Sequence, residues 1–556
     1  MPRGARIFHY GTLALGTLVL SLLARGQWFF GDEWDPIAQR SVFGSAQKNL
    51  LEPHNEHWST LAVVVYRTHL AVFGLRTYVP LMILFIATCV LTAHLLWRLC
   101  LRTGSEPYVA AVLALGFLVF GPAATEVVFA WNVTFVGALA CGFAILVLVD
   151  DHGPVTPRDR WVVWGLGVMG ILCSGIAITM LLVVGAALLW TRGWRVALES
   201  LSVPVAVYAL WSLVWGREGG SLLSTAGLEQ VPDVVGTGLT FVFDDLTHVP
   251  FTGVVVLASL MAYVLITRRS WTGTRAFALC MAAGAVAFYA IIAIRRSSPY
   301  LPGPKTGRYL WMAFALLVPL TSLAVSALVR RWRVAAAIGV VGAAVLVGIQ
   351  VDDLVDDARV ARELKEAERR RVVAAAGLAA AGLPMVEDSV LANSVFEDSA
   401  RVDLLARLAR EGRLPEIRTG VADRLGARAD LQVAFDSWPS DATDPPARVI
   451  GLYEATASRG PDGCVVVRSP GPTGHVRFAA DPLRTTATRV EGDFTDGLGL
   501  AVVRNGTTGP WRPLIPLVAR PYRLRLAAAD SDVLMATGPG RVIFCNVVVD
   551  PAVYSD

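Results

Sequence analysis

Residues 78–100 read YVPLMILFIATCVLTAHLLWRLC, with no charged side chain before Arg98. A hydrocarbon core of about 30 Å takes about 20 apolar residues as a helix. Only a helix or a closed barrel satisfies every backbone polar group in that medium. The stretch therefore predicts a membrane-spanning helix, and similar runs lie on both sides of it. One precedes it at 7–24. Others follow at 108–121, 125–149, 161–173, 175–190, 196–215, 251–267, 276–294, 309–329 and 334–349, giving about eleven spans. The 161–190 stretch reads equally as one broken or tilted helix. Arg3 and Arg6 ahead of the first run resemble a signal-peptide leader. No small-x-small cleavage pattern follows, so the run reads as a retained anchor.

Composition agrees with that reading. Of 556 residues, 54% are hydrophobic and only 17% charged, against roughly 25% charged in globular domains. Length alone would suggest about three or four domains, but lipid-embedded helices absorb much of it. This composition excludes a soluble enzyme. A formal net charge of +4 is too small to call for a nucleic-acid partner.

Threading the spans from a cytoplasmic N-terminus puts arginines on every inside loop. These are Arg98 with Arg102, Arg158 with Arg160, Arg192 with Arg195, Arg268 and Arg269 with Arg275, and Arg330 and Arg331 with Arg333. That bias is the one expected of cytoplasmic loops. The expected setting is a multi-pass protein of the plasma (cell) membrane. Loops 25–77, 216–250 and 295–308, and everything after Gln350, then lie outside. The expected fold class is an α-helical polytopic membrane domain over 1–350, an extracytoplasmic helical connector over 351–425, and a β-rich, sandwich-like domain over 426–556. The connector begins with Asp352, Asp353, Asp356 and Asp357, and an Ala/Arg/Glu/Leu-rich run at 358–383 predicts a surface helix. Short β-prone segments at 431–435, 449–453, 464–468, 500–503, 522–526 and 542–549, separated by Gly/Pro/Asp turns, predict a β-sandwich of roughly 110–130 residues. Of seven cysteines, Cys89, Cys100, Cys141, Cys173 and Cys280 lie in or beside apolar runs and read as small buried side chains. Cys464 and Cys545 lie in the polar tail and could pair in an oxidising compartment.

The first outside loop is where chemistry concentrates. Gln27-Trp28-Phe29-Phe30-Gly31-Asp32-Glu33-Trp34-Asp35 sets Asp32, Glu33 and Asp35 among aromatics right after the first span. A carboxylate walled by Trp28, Phe30 and Trp34 would lose solvation and become a better general base. The competing reading is a solvated turn with interfacial aromatics. His54, Glu56 and His57 follow in Leu51-Glu52-Pro53-His54-Asn55-Glu56-His57-Trp58. They could hold a divalent cation, shape a substrate pocket or cap structure. The spacing is not the His-Glu-x-x-His of zincins, though a helical turn would put both histidines on one side. Residues 61–73 carry Arg67 and His69 and read as an interfacial helix. The loop at 295–308 places Arg295, Arg296, Lys305 and Arg308 outside, against the charge bias, with Arg308-Tyr309 opening a span. Arginine matches phosphate oxygens with a planar fork and lysine acts as a point charge. The phosphate of a lipid is the nearest such anion, and simple headgroup contact is the alternative. Glu126 and Asn132 are the notable polar groups within the spans, and Asp244, Asp245 and His248 are further polar groups of the 216–250 loop.

Taken together, the acidic motif Gly31-Asp32-Glu33-Trp34-Asp35 after the first span and the basic-aromatic Gly307-Arg308-Tyr309 before a late one resemble the GT-C superfamily of polytopic glycosyltransferases. The resemblance covers roughly 7–350. The β-rich tail is similar in placement to those of actinobacterial arabinofuranosyl- and mannosyltransferases. The resemblance implies sugar transfer from a polyprenyl-phosphate donor to an extracytoplasmic glycan or glycolipid acceptor, with inversion, in cell-envelope biogenesis. By that likeness Asp32, with Glu33 and Asp35 as alternates, is the base. Arg308 and Lys305 hold the donor phosphate, and Tyr309 is a further substrate-binding residue. His54, Glu56 and His57 shape the pocket or hold a metal. Two other classes fit the architecture: a lipid-sugar transporter or flippase, which would show inverted repeats and midplane charges, and a non-catalytic assembly or sensor protein displaying the tail.

Overall fold

The computed structural model describes the chain apart from residues 1, 41–48, 55–56, 150–155, 217–224, 296–302, 384–389, 392–399, 438–443, 472–473, 493–497, 515–521, 528, 530, 538–539 and 554–556. The chain forms two compact units. The first comprises Met1–Gln27, Arg40–His69 and Tyr78–Leu364. The second comprises Trp28–Gln39, Leu70–Thr77 and Lys365–Asp556.

The helices in chain order are α1 (Arg3–Leu23), α2 (Thr60–Phe73), α3 (Val79–Thr103), α4 (Pro107–Leu118), α5 (Ala124–Val127), α6 (Val133–Val149), α7 (Pro157–Cys173), α8 (Ile176–Arg192), α9 (Trp194–Val214), α10 (Thr225–Thr247), α11 (Thr252–Ile266), α12 (Arg275–Arg295), α13 (Gly307–Arg331), α14 (Arg333–Ala380), α15 (Val402–Arg410) and α16 (Val421–Gln432). The predicted apolar runs are mainly helical, but the run at 125–149 is broken between α5 and α6, and that at 108–121 leaves the helix after Leu118. Among the described residues, eight helices are long and apolar enough to cross a membrane. The pair Gly227–Thr247 and Thr252–Ile266, bent by 115°, makes nine if it is one broken span. The expected count of about eleven spans therefore stands at eight to nine by length and composition. The difference lies partly in α7 and α8, each only 17 residues long and separated by the extended Ser174.

Two expectations change. The 216–250 loop contains α10, a 23-residue helix. Its Gly and Pro residues disguise the helical period. Gly238 is where the face of Tyr289 in α12 packs, so a Cβ there would sit 2.4 Å from the ring. Small residues permit such close helix approach. The last predicted span and the predicted surface helix form a single element, the 48-residue α14. No Gly or Pro lies between Gln350 and Ala376 to stop it, and Asp352 to Asp357 only make it polar. At 1.5 Å per residue it runs for about 70 Å, far beyond a hydrocarbon core.

Inside the first unit, α6 packs on α3, α7 and α8, while α12 packs on α8, α10 and α13. Backbone and side chain tie the bundle together. Trp311 Nε1 donates to Phe117 O at 2.8 Å, Tyr78 Oη accepts from Ala130 N at 2.8 Å, and Ser326 Oγ accepts from Glu106 N at 2.7 Å.

In the second unit the strands are β1 (Val390–Leu391), β2 (Ala400–Arg401), β3 (Val433–Ser437), β4 (Ala447–Tyr453), β5 (Thr456–Arg459), β6 (Val465–Ser469), β7 (His475–Ala479), β8 (Thr486–Gly492), β9 (Leu498–Arg504), β10 (Thr507–Thr508), β11 (Arg512–Leu514), β12 (Tyr522–Leu526), β13 (Asp532–Ala536), β14 (Gly540–Cys545) and β15 (Val547–Val549). One sheet has the order β10-β9-β13-β7-β4-β15, with β11 also on β9, and the other β3-β12-β8-β14-β6-β5. Burial alternates along β7 and β12, as a sheet with one buried face requires. Val449, Val476, Phe478, Val502 and Met535 of the first sheet share one buried core with Val467, Val490, Leu524, Val542 and Phe544 of the second. Phe478 and Phe544 meet edge to face at 5.4 Å across that core. This is the expected β-sandwich. Cys464 and Cys545 are disulfide-bonded, with Cα atoms 4.2 Å apart. They continue the β6–β14 register in which Val465 faces Phe544. In α14 and α16, Arg371 and Asp430 form a buried two-point pair, with Nε to Oδ2 at 2.6 Å and Nη2 to Oδ1 at 2.9 Å.

Candidate functional site

The loop ahead of α13 builds the cationic part of the site. Gly307, the first residue of α13, lies so close to the backbone of Pro122 that a Cβ would sit 2.3 Å from its carbonyl oxygen. That contact fixes where the helix begins. Thr306 turns the chain into the helix, donating through Oγ1 to Gly303 O at 2.8 Å. Arg308 and Tyr309 follow in the first turn of α13, where the Tyr309 N–H donates to Thr306 O at 2.9 Å. The Arg308 guanidinium lies 5.9 Å from the Phe135 ring centre and 5.7 Å from that of Tyr309. Lys305, more exposed, places Nζ 4.4 Å over the Phe241 ring. Cation–π placement of this kind orients a charge against apolar surroundings.

Tyr309 is buried and meets Phe288 edge to face at 5.9 Å. Beside it opens a cavity of about 80 Å³ whose polar lining comes from His57, Thr179, Tyr208, Arg295 and Tyr309. Phe135, Phe288 and isoleucines of α8 and α12 complete the wall. Side chains from α6, α8, α9, α12 and α13 thus converge with His57 on one apolar chamber with a cationic rim. A larger cavity of about 640 Å³ lies among α4, α10, α11, α13 and α14. Among the described residues, its lining holds no charged side chain.

His57 and His54 exchange both backbone hydrogen bonds, at 2.9 Å each. The pair is a tight antiparallel bridge, so the expected alternative of a helical turn is not what the backbone adopts. Their rings meet different aromatics: His54 meets Trp131 at 5.2 Å and His57 meets Phe135 at 5.7 Å. The loop is held from several sides. Arg40 donates to the carbonyls of Asn49, Glu52 and Pro53 at 3.3, 2.5 and 2.7 Å. Trp211 Nε1 donates to Leu51 O at 2.7 Å, while its ring stacks on Trp58 at 5.0 Å. Gly175 receives the His57 ring, since a Cβ there would sit 2.8 Å from Nδ1. Glu56 lies outside the described residues, as does Arg296. Among the described residues, no group of three or more His, Cys, Asp or Glu side chains could hold a metal ion.

The acidic motif belongs to the second unit. Gly31–Glu33 forms a single tight turn. Glu33 is buried, and its Oε2 accepts from Phe30 N at 2.8 Å. Asp35 is buried and Asp32 half-buried. The aromatic wall is Trp28, Phe29 and Trp34, with ring centres 5.6 to 6.4 Å apart, whereas Phe30, expected in that wall, is only half-buried. Trp28 Nε1 donates to Leu75 O at 3.2 Å, fastening the wall to the neighbouring segment.

Other polar candidates serve local structure. Asn132 Nδ2 donates to Glu126 Oε2 at 2.6 Å and to its carbonyl at 3.0 Å. Asp244 Oδ1 accepts from Gly253 N at 2.7 Å, bracing the α10–α11 bend. His248 Nε2 pairs with Asp353 Oδ2 at 3.1 Å. Sequence reading missed Tyr208, Thr179 and Phe135. Each sits inside an apolar run, where only the tertiary neighbours reveal its facing. No protein-family model and no curated protein matches this sequence.

Proposed function

We propose that the chain is a membrane glycosyltransferase of the GT-C type, moving a sugar from a polyprenyl-phosphate donor to an extracytoplasmic glycan or glycolipid acceptor. The observation that supports this most is the apolar chamber bounded by His57, Tyr208, Arg295 and Tyr309, with Arg308 held against Phe135 and Tyr309. A lipid-linked phosphate needs this combination: apolar walls for the chain, and cations placed where charge appears. In the proposed step an acceptor hydroxyl oxygen attacks the anomeric carbon with inversion. The bond from that carbon to the phosphate oxygen breaks, and its electron pair stays on the phosphate. The resemblance, rather than any contact with the chamber, assigns the hydroxyl proton to Asp32 as general base. Arg308 and Lys305 hold the departing phosphate. The functional setting is a plasma membrane with the sandwich on its outer side, and the Cys464–Cys545 bond supports an oxidising compartment there.

The test is transfer of labelled sugar from polyprenyl-phosphate donors by the full chain in nanodiscs. Asp32→Asn should lower the rate by about 10²- to 10⁴-fold, the span of general-base effects, with the thermal midpoint unchanged. Full activity in that variant removes the base. Transfer that is indifferent to Arg308→Gln removes the phosphate anchor.

A further inference from the structure

Two helix ends meet in the second unit, and each is closed by an arginine from the other. α2 ends on Gly74, whose φ of +65° is left-handed, with Gly74 N donating to Leu70 O at 3.1 Å. α15 ends on Gly412, with φ +63°. Gly412 N donates to Ala409 O at 3.0 Å and Arg413 N to Leu408 O at 2.8 Å, the paired bonds that stop a helix at a left-handed glycine. Arg413 then reaches across, its Nη2 donating to Leu70 O and Ala71 O at the end of α2. Arg76 returns the contact, with Nε donating to Gly412 O at 2.7 Å and Nη2 to the same oxygen. Leu75 N donates to Arg413 O at 2.9 Å, and a Cβ on Gly74 would sit 2.5 Å from that oxygen. These bonds fix both segments and do not use Arg76 Nη1. The tip of α2 beside them is apolar and open, with Val72 65% and Phe73 41% exposed. Arg76 follows three residues later, and the last turn of α15 adds Arg407 and Arg410, all three exposed. The one carboxylate in 70–77 and 405–413 is that of Glu411, which pairs with Arg413 Nη1 at 3.6 Å.

We propose that this clasp is a binding site for an anionic phospholipid of the surrounding bilayer. Its position follows from the chain itself. Tyr78 is the N-cap of α3, one of the helices long and apolar enough to cross a membrane. Three residues of chain hold Arg76 within about 11 Å of Val79. An end of α3 in the headgroup region therefore keeps the clasp at the membrane boundary. Its chemistry selects the occupant. An open apolar tip beside arginines is the pattern of surfaces that settle into the boundary between headgroups and acyl chains of anionic lipid. Phosphodiester oxygens match the guanidinium fork, and Arg76 is held through its other donors with Nη1 left for that match. Glu411 offsets one of the four arginines, so the net charge favours a headgroup that brings no ammonium of its own. A soluble anion would use the arginines and leave Val72 and Phe73 in water. One lipid satisfies both, with its phosphate at Arg76, Arg407 and Arg410 and an acyl chain along Val72 and Phe73. The site needs α3 to cross the membrane and does not depend on the transfer chemistry.

The experiment is native mass spectrometry of the full chain in detergent micelles, titrated with phosphatidylglycerol or with phosphatidylcholine of the same acyl chains. The wild type should retain phosphatidylglycerol at about tenfold lower concentration than phosphatidylcholine. Arg407→Gln with Arg410→Gln leaves both helix caps in place and should erase most of that preference, at about fivefold for each arginine near a lipid surface. Val72→Ser with Phe73→Ser should weaken retention of both lipids. Arg541→Gln, at an exposed arginine of β14, should change nothing. Circular dichroism and an unchanged thermal midpoint confirm folding of each variant. Equal retention of the two lipids by the wild type overturns the proposal, as does a preference that survives the Arg407 and Arg410 substitutions or is lost equally in Arg541→Gln. Unchanged retention in the Val72 and Phe73 variant overturns it as well. Displacement of phosphatidylglycerol by one equivalent of a short-chain polyprenyl phosphate would also overturn it, because the clasp would then belong to that ligand and not to a bilayer lipid.

Discussion

Gly307 shows how one residue sets the geometry of the cationic rim. It starts α13 against the Pro122 carbonyl, and Arg308 and Tyr309 take their directions from that start. A β-branched side chain cannot enter 2.3 Å from a backbone oxygen without moving one of the two segments. Gly307→Val should therefore destabilise the bundle by about 1 to 3 kcal/mol, the usual cost of overpacking. Thermal unfolding in nanodiscs reads this directly, and donor affinity should fall with it. An unchanged midpoint would mean that the Gly121–Ala123 turn gives way freely. The Gly-Arg-Tyr run was visible in the sequence as a basic-aromatic opening to a span. The reason for its glycine was not, because Pro122 is remote in the chain. The same holds for Tyr208 and Phe135, whose neighbours make them part of the chamber while their sequence context is only apolar.

At the level of elements, hydrophobic periodicity was enough to predict mainly helix in the apolar runs and strands in the tail. It failed where two signals overlapped. α10 mixes glycine and proline with an amphipathic pattern, and reads as a loop until α12 is seen to need its small residues. α14 changes from apolar to charged halfway, and composition alone divides it although the backbone has no reason to stop. The sandwich was legible because alternation and turns agree along most strands, but the cysteine pairing was not, since spacing does not show register. That pairing closes 81 residues of sequence at the end of the β6–β14 ladder, and chain-entropy reasoning puts its contribution at about 4 kcal/mol. Cys464→Ala with Cys545→Ala should lower the denaturation midpoint of the sandwich and leave the bundle transition in place. A midpoint equal to wild type would show that the strand pairing needs no covalent help.

Across the whole molecule, apolar helices dominate the first unit and a two-sheet sandwich the second. The proposed function requires that sandwich to lie on the outer side of the membrane. A reporter at an open position decides this. Leu483 stands 89% exposed between β7 and β8, and Leu483→Cys should react with a membrane-impermeant maleimide in intact cells. Labelling only after permeabilisation would reverse the orientation. The remaining cysteines make this reading clean. Cys89, Cys100, Cys141, Cys173 and Cys280 are all buried and the other two are bonded to each other. The native chain is thus silent toward water-borne thiol reagents, and a scanning series of single introduced thiols can chart every loop without first stripping the protein of its own sulfur.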